Sequence, residues 1–330
     1  MAIAMGVDLS KQPSFSEWRN SRRPLFSETE RKMSSVNCTD LSRQFSLPGL
    51  RFEGGSGGLI RAAIQTNTAS GELYLQGAHV TSWQPAGHEP VLWMSRASNF
   101  EMGKAIRGGV PICFPWFGPH PTNPSAPAHG FARISEWTLK KAQTTDDGGI
   151  ELLLMTRIDP FQLSFQVEFD QTLRMSLRTE LPADVAEPQR FEDALHTYLA
   201  VGDVRSIAIT GLEHADYLDK VDSAARKAAT GRAIEFSGET DRVYMDTKSV
   251  CIVSDRLKNR TISVQKSGSL STVVWNPWIA KSVRMLDFGN EEWPEMVCIE
   301  TANVGSNAIE LLPGQLHCTA AVISVTENFG

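Results

Sequence analysis

No apolar run in the sequence approaches the ~20 residues that a membrane-crossing helix needs, so no membrane association is expected. Neither sign of charge dominates. The 32 Lys+Arg against 38 Asp+Glu leave a net charge of −6, whereas a nucleic-acid binder usually carries a basic excess. Cysteine is scarce and unpatterned, with five residues at 38, 113, 251, 298 and 318 and no C-x-x-C pair. An odd, scattered set argues against a disulfide scaffold and against a zinc ribbon. Cys113 and Cys298 lie in apolar runs, where free thiols behave as small hydrophobes. A reducing, cytoplasmic compartment is the expectation. The first residues, MAIAMGVDLSKQ, lack the positively charged start and long apolar stretch of a signal peptide. Glycine and proline, 25 and 17 residues, are too sparse and aperiodic for a fibrous protein.

What is present is a chain of 330 residues, 41% hydrophobic, enough to bury a sizeable core. Residues 1–45 stand apart. They hold seven Lys/Arg, five Asp/Glu and eight Ser, a net +2 that leaves −8 on residues 46–330. They read as a polar, flexible N-terminal extension; Phe15, Trp18 and Leu25 leave open a short docking helix. From residue 46 onward the text reads as strands. Phe165, Val167 and Phe169, then Leu173, Met175 and Leu177, alternate with polar residues, the period-two pattern of a half-buried antiparallel strand. Further strands are expected at 58–65, 72–76, 79–84, 91–94, 131–139, 150–157, 206–211, 250–254, 261–266, 270–275, 296–301, 307–312 and 316–325. One helix is expected near 216–229. Many short strands with almost no crossover helices predict a single all-β, mostly antiparallel sandwich over residues 46–330.

Several motifs bear on chemistry. Gly54–Gly58, GGSGG, has the letters of a hydrolase elbow, but LIRAAI follows it like a strand, so a plain glycine turn is the better reading. In the proline-rich stretch 118–133, His120 and His129 are nine residues apart with no carboxylate between them, unlike the closely spaced histidines of a metal-binding cupin. Arg107 precedes Gly108 and Gly109, which would let a ligand approach the backbone. Arg133 follows the same aromatic, proline-rich segment, and two guanidinium forks suit a carboxylate or phosphate. In ALHTYL, 194–199, a strand would turn Ala194, His196 and Tyr198 to one side. Glu300 ends the apolar run MVCIE, where a carboxylate is costly unless paired or working. His196 and Glu300 would make an acid–base pair if the fold joins them across 104 residues.

These stretches resemble the hexose-6-phosphate mutarotases, or glucose-6-phosphate 1-epimerases, of the aldose 1-epimerase superfamily. The similar text is GAHVTSWQPAG (77–87), VLWMS (91–95), IRGGVPICFPWFGPH (106–120), HGFAR (129–133), LHTYL (195–199), TDRVY (240–244), VVWNPW (273–278) and MVCIE (296–300). It runs in order over about residues 46–330. The resemblance implies a β-supersandwich of the galactose mutarotase kind, with an open groove for the sugar. It implies His196 as general acid and Glu300 as general base. Arg107, His129 and Arg133 would contact substrate and its phosphate, and Asp241 would bind the sugar. Relatives often carry a substrate-binding Gln where this chain has Ala128, so a backbone contact at most is expected there.

The expected activity is interconversion of the α and β anomers of an aldohexose 6-phosphate, without metal or other cofactor, by a monomer whose partner is that sugar phosphate. Trp116, Trp275 and Trp278 are candidates for the apolar floor under the ring. A non-catalytic sugar-phosphate-binding or regulatory module on the same fold is the alternative. A pure binder need not keep both His196 and Glu300.

Overall fold

A computed structural model describes residues 37–327, so the expectations for residues 1–36, including Phe15, Trp18 and Leu25, lie outside the described residues. Among the described residues, three large antiparallel sheets and a two-stranded one, Gln189–Phe191 with Ile309–Leu311, supply the framework, and one large hydrophobic core draws on all of them. A four-stranded sheet runs in chain order through Leu50–Gly54, Ile60–Gln65, Ala69–Tyr74 and His79–Pro85. An eight-stranded sheet contains Phe161–Phe169 and Leu173–Glu180 beside the long last strand Leu316–Glu327. The expected alternation is realised there: Phe165, Val167, Phe169, Leu173, Met175 and Leu177 are buried, while Gln166, Glu168, Arg174 and Ser176 between them are half-buried.

A second eight-stranded sheet carries the features of interest. Its central neighbours are Thr240–Tyr244, Ser271–Asn276, Met296–Asn303 and the broken segment Asp193–Leu195 and Tyr198–Ala200. Met296–Asn303 is buried at every position. A strand covered on both faces reads as a continuous apolar run rather than an alternating one, which is the look of MVCI.

Some expectations fail locally. Residues 216–229 are not helical. They form a hairpin, Tyr217–Asp219 against Ala225–Lys227, with Ser223 and Ala224 at φ 50° and 59° in its turn. The Ala, Lys and Arg content favours helix only weakly, and pairing of Tyr217 with Tyr244 in the sheet overrides it. Residues 131–139 do not make one strand: a 3₁₀ turn at Ala132–Ile134 precedes the strand Thr138–Thr144. Residues 91–94 contribute only isolated bridges, from Leu92 to Leu199 and from Met94 to Gly108. GGSGG is a tight turn leading into Ile60–Gln65. Ahead of the first strand, Cys38–Gln44 forms a short helix, capped by Asn37, that buries Leu41 against the core. No helix among the described residues is long and apolar enough to cross a membrane. The five cysteines are free.

Candidate active site

Sheet register creates the site. Leu195 lies opposite Thr301 and Tyr198 opposite Cys298, so the two residues between them bring His196 across from Glu300. Ile299 N–H donates to the Thr197 carbonyl within that stretch. On the other edge, His196 and Tyr198 donate their N–H groups to the carbonyls of Pro111 and Gly109. The RGGVP segment is thereby stitched beside the histidine. Its glycines serve this packing rather than ligand approach. A Cβ on Gly108 would come within 2.5 Å of the Trp93 carbonyl oxygen, and one on Gly109 within 2.2 Å of that of Val80.

His196 Nε2 stands 3.3 Å from Glu300 Oε1. Both side chains are almost fully buried, and His196 Nδ1 and Glu300 Oε2 have no protein partner. Buried polar atoms are nearly always paired, so an unpaired atom on each member of one close pair makes His196 and Glu300 a candidate site. Burial drives His196 well below the usual histidine range, helped by Arg107 and Arg133. Burial likewise drives Glu300 well above the usual carboxylate range, helped by Asp241. Charge separation is disfavoured, and a proton shared by the pair rests on the carboxyl.

Aromatic rings line the approach. Tyr198 stacks on His196 with centroids 4.8 Å apart, and Trp275 meets both edge-on at 6.1 and 5.9 Å. Of the other two tryptophans considered for the floor, Trp116 packs on His120 and Phe131, and Trp278 on Trp293. The ring facing His196 from the proline-rich loop is Phe117, at 6.4 Å, with His129 at 5.6 Å. His129 Nδ1 accepts from Gly118 N–H, which leaves the ring proton on Nε2 as a donor. His120 Nδ1 instead accepts from the N–H groups of Thr122 and Asn123.

Charged groups surround the pair. Asp241 lies opposite Trp275 in the sheet and 3.6 Å from Lys281. Arg107 donates to Asp287 and to the Tyr198 hydroxyl. Arg133 donates to the Ala128 carbonyl at 2.6 Å, so that carbonyl is already engaged. Lys220 places its ammonium 4.7 Å from the centre of the Phe117 ring. Sequence reasoning missed Lys220, hidden in the expected helix, and also Phe117 and Asp287. Nothing in local pattern distinguishes them.

Cys298 completes a His196–Cys298–Glu300 set whose donor atoms lie within 4.8 Å of one another. Nitrogen, sulfur and carboxylate could hold a soft divalent cation. Burial raises the thiol well above its usual range, so such binding must first strip its proton. A cation there would also occupy the lone pairs that proton transfer needs.

The model of the aldose 1-epimerase family matches residues 62–322. The chain belongs to the aldose 1-epimerase family. A relative from Escherichia coli K12, named "Putative glucose-6-phosphate 1-epimerase", is 38% identical over 230 residues, covering 69% of this chain and 78% of the relative. A crystal structure of "a putative mutarotase" from Salmonella typhimurium superposes with TM-score 0.79 at 31% identity, covering 86% of this chain and 95% of that one. A galactose mutarotase related enzyme from Lactobacillus acidophilus shares the fold at TM-score 0.60 and 14% identity, covering 81% and 97%. The β-sandwich is therefore of the galactose mutarotase type, and the chain is an enzyme of sugar-anomer interconversion.

Proposed function

We propose that the protein interconverts the α and β anomers of D-glucose 6-phosphate, with His196 and Glu300 moving the protons. The observation that carries this reading is the buried pair, 3.3 Å apart with one free polar atom each, flanked by Arg107 and Arg133. Opening a pyranose needs a proton removed from the C1 hydroxyl and one delivered to the ring oxygen, atoms that share C1. Two groups a hydrogen-bond length apart can serve both. The bound sugar's hydroxyls offset the cost of passing the shared proton from Glu300 to His196. Glu300 then takes the C1 proton while the imidazolium gives its own to the ring oxygen. The aldehyde turns about C1–C2, and the same transfers in reverse close the other anomer.

The arrangement of charge supports the phosphate. The ring oxygen is bonded to C5, which carries the C6 phosphate, so the phosphate belongs on the side of the acid. Arg107 and Arg133 are the cations that bear most on His196. For Glu300 the leading neighbours are Asp241 and then Lys220. A phosphate near neutral pH has close to two negative charges, which guanidinium groups meet with parallel hydrogen bonds. Trp275 and Phe117 offer apolar faces to the ring, and Asp241 and His129 offer an acceptor and a donor to its hydroxyls.

The test dissolves pure α-anomer with the enzyme and follows equilibration by NMR, for glucose 6-phosphate and glucose side by side. Acceleration well above the spontaneous rate, larger for the phosphate ester, is expected. Binding without acceleration would leave the non-catalytic module, and equal acceleration of both sugars would leave a free-sugar mutarotase.

A further inference from the structure

Arg107 and Arg133 flank the same histidine but differ in what already holds them. Asp287 grips Arg107 side-on, with Nε to Oδ2 at 3.2 Å and Nη2 to Oδ1 and Oδ2 at 3.2 and 3.0 Å. Nη1 donates to the Tyr198 hydroxyl at 2.9 Å. The edge of the guanidinium best shaped for a phosphate is thus occupied by a carboxylate, whose negative charge opposes that of a phosphate there. Arg133 has no carboxylate partner among the described residues. It spends one Nη2 hydrogen on the Ala128 carbonyl, and its buried Nε has no partner.

The segment around Asp287 holds the carboxylate in place. Phe288 next to it is buried against Trp93 and Trp275, at 4.9 and 6.5 Å between ring centroids. Gly289 N–H donates to Ser95 Oγ and to Glu292, whose buried carboxylate also receives Ser95 Oγ–H and the Arg96 N–H. A Cβ on Gly289 would sit 2.4 Å from the Glu292 carboxyl carbon, so the turn closes tightly there. On the other side, Leu286 is 95% exposed. Asp287 therefore sits on a turn anchored at one end and meets Arg107 at the rim, each side chain about one-fifth exposed.

We propose that Asp287 is a specificity-determining residue, which holds the Arg107 fork, offsets its attraction for a phosphate and so sets how strongly the site prefers a phosphorylated sugar. Arg133 is then the cation that meets the phosphate unopposed. Arg107 acts chiefly through Tyr198, the ring stacked on His196. This rests on the glucose 6-phosphate reading above. A bound phosphate must either compete with Asp287 for Arg107 or tolerate a carboxylate beside it, and both weaken binding of the phosphate ester relative to the free sugar.

The test compares wild type with Asp287→Asn and Asp287→Glu. Asn keeps the size and one acceptor for Arg107 but loses the charge; Glu keeps the charge. Affinity for glucose 6-phosphate and for glucose is read by calorimetry, equilibration rates by NMR and folding by thermal melting. Asp287→Asn is expected to bind glucose 6-phosphate about tenfold more tightly, with a steeper salt dependence, and glucose within about twofold of wild type. Asp287→Glu should leave the preference within about twofold. Unchanged or weaker glucose 6-phosphate binding by Asp287→Asn, or equal shifts for both sugars, would overturn the proposal. If Asp287→Asn fails to fold, a preference altered by Asp287→Glu as well would overturn it, and a preserved one supports it. Binding that follows the expectation without turnover in wild type would instead overturn the mutarotase reading and leave the role of Asp287 standing.

Discussion

The hairpin Phe161–Glu180 and the strand Met296–Asn303 are both antiparallel, yet they treat polar residues differently. In the hairpin, most polar side chains, among them Gln166, Glu168, Arg174 and Ser176, fall on the half-buried face and cost little, while Ser164, Asp170 and Thr179 are buried. In Met296–Asn303 every residue is buried, so each polar group there needs a partner. Asn303 has its partners, donating to Asp193, Thr319 and the Gly268 carbonyl at 2.9–3.0 Å. Three positions away, Glu300 has one oxygen 3.3 Å from His196 Nε2 and the other without a partner. One buried polar residue is fully spent on structure, and the other keeps an unpaired oxygen. An unpaired atom alone does not set Glu300 apart, since buried Thr179 Oγ1 and His79 Nδ1 also lack partners; what is particular to Glu300 is that it lies 3.3 Å from a histidine with an unpaired atom of its own.

The sharpest way to break this contrast is mutation on both sides. Glu300→Gln and His196→Asn should each slow anomer equilibration by at least about 100-fold while the melting temperature stays near wild type. Phe165→Ala, at a fully buried hairpin position, should cost about 3–5 kcal/mol of stability by denaturant titration. Its remaining folded molecules should turn over normally. Near-normal turnover in either pair mutant would remove the distinction.

The next effect concerns the cations. Arg133→Ala should lower kcat/KM for glucose 6-phosphate by about 10- to 150-fold, the worth of a charge-assisted hydrogen bond, and spare glucose. Arg107→Ala should slow both sugars, because its loss frees Tyr198 against His196. Equal losses on both sugars from Arg133→Ala would reduce it to a tie on the Ala128 carbonyl.

Acid should expose a third histidine. His79 is fully buried, donates to the Gly108 carbonyl at 2.8 Å, and is lowered by burial from 6.5 to about 4. Between those values the unfolded chain binds a proton that folded His79 refuses, so stability falls as pH drops from about 6.5 to about 4. The share of this one residue is about 3 kcal/mol over the window. Melting curves across that range should be flatter for His79→Gln, which keeps a donor for Gly108. An unchanged slope would refute the assignment.

The smallest effect lies at the chain's start. Removing residues 1–45 deletes the helix Cys38–Gln44 with its buried Leu41, whereas removing residues 1–36 retains it. The longer deletion should be less stable by about 1.5–3 kcal/mol, with both forms active. Identical melts would show that Leu41 contributes nothing.

Local pattern determined much of this protein. Alternation along 161–180 and the punctuation of short strands specify an antiparallel sandwich, because each strand's faces are set by its own period of two. The apolar run before Glu300 marked a carboxylate in a costly place, and burial is what makes it costly. Where local preference was weak, as at 216–229, pairing with a neighbouring strand decided the outcome. Only tertiary structure made His196 and Glu300 a pair. Register between segments 104 residues apart is fixed by packing and ladder hydrogen bonds, to which neither segment's own sequence refers. The same holds for Asp287 on Arg107 and Lys220 on Phe117, where the meeting side chains come from separate loops and turns. Their chemistry lies in the distance between residues, which the folded chain alone sets.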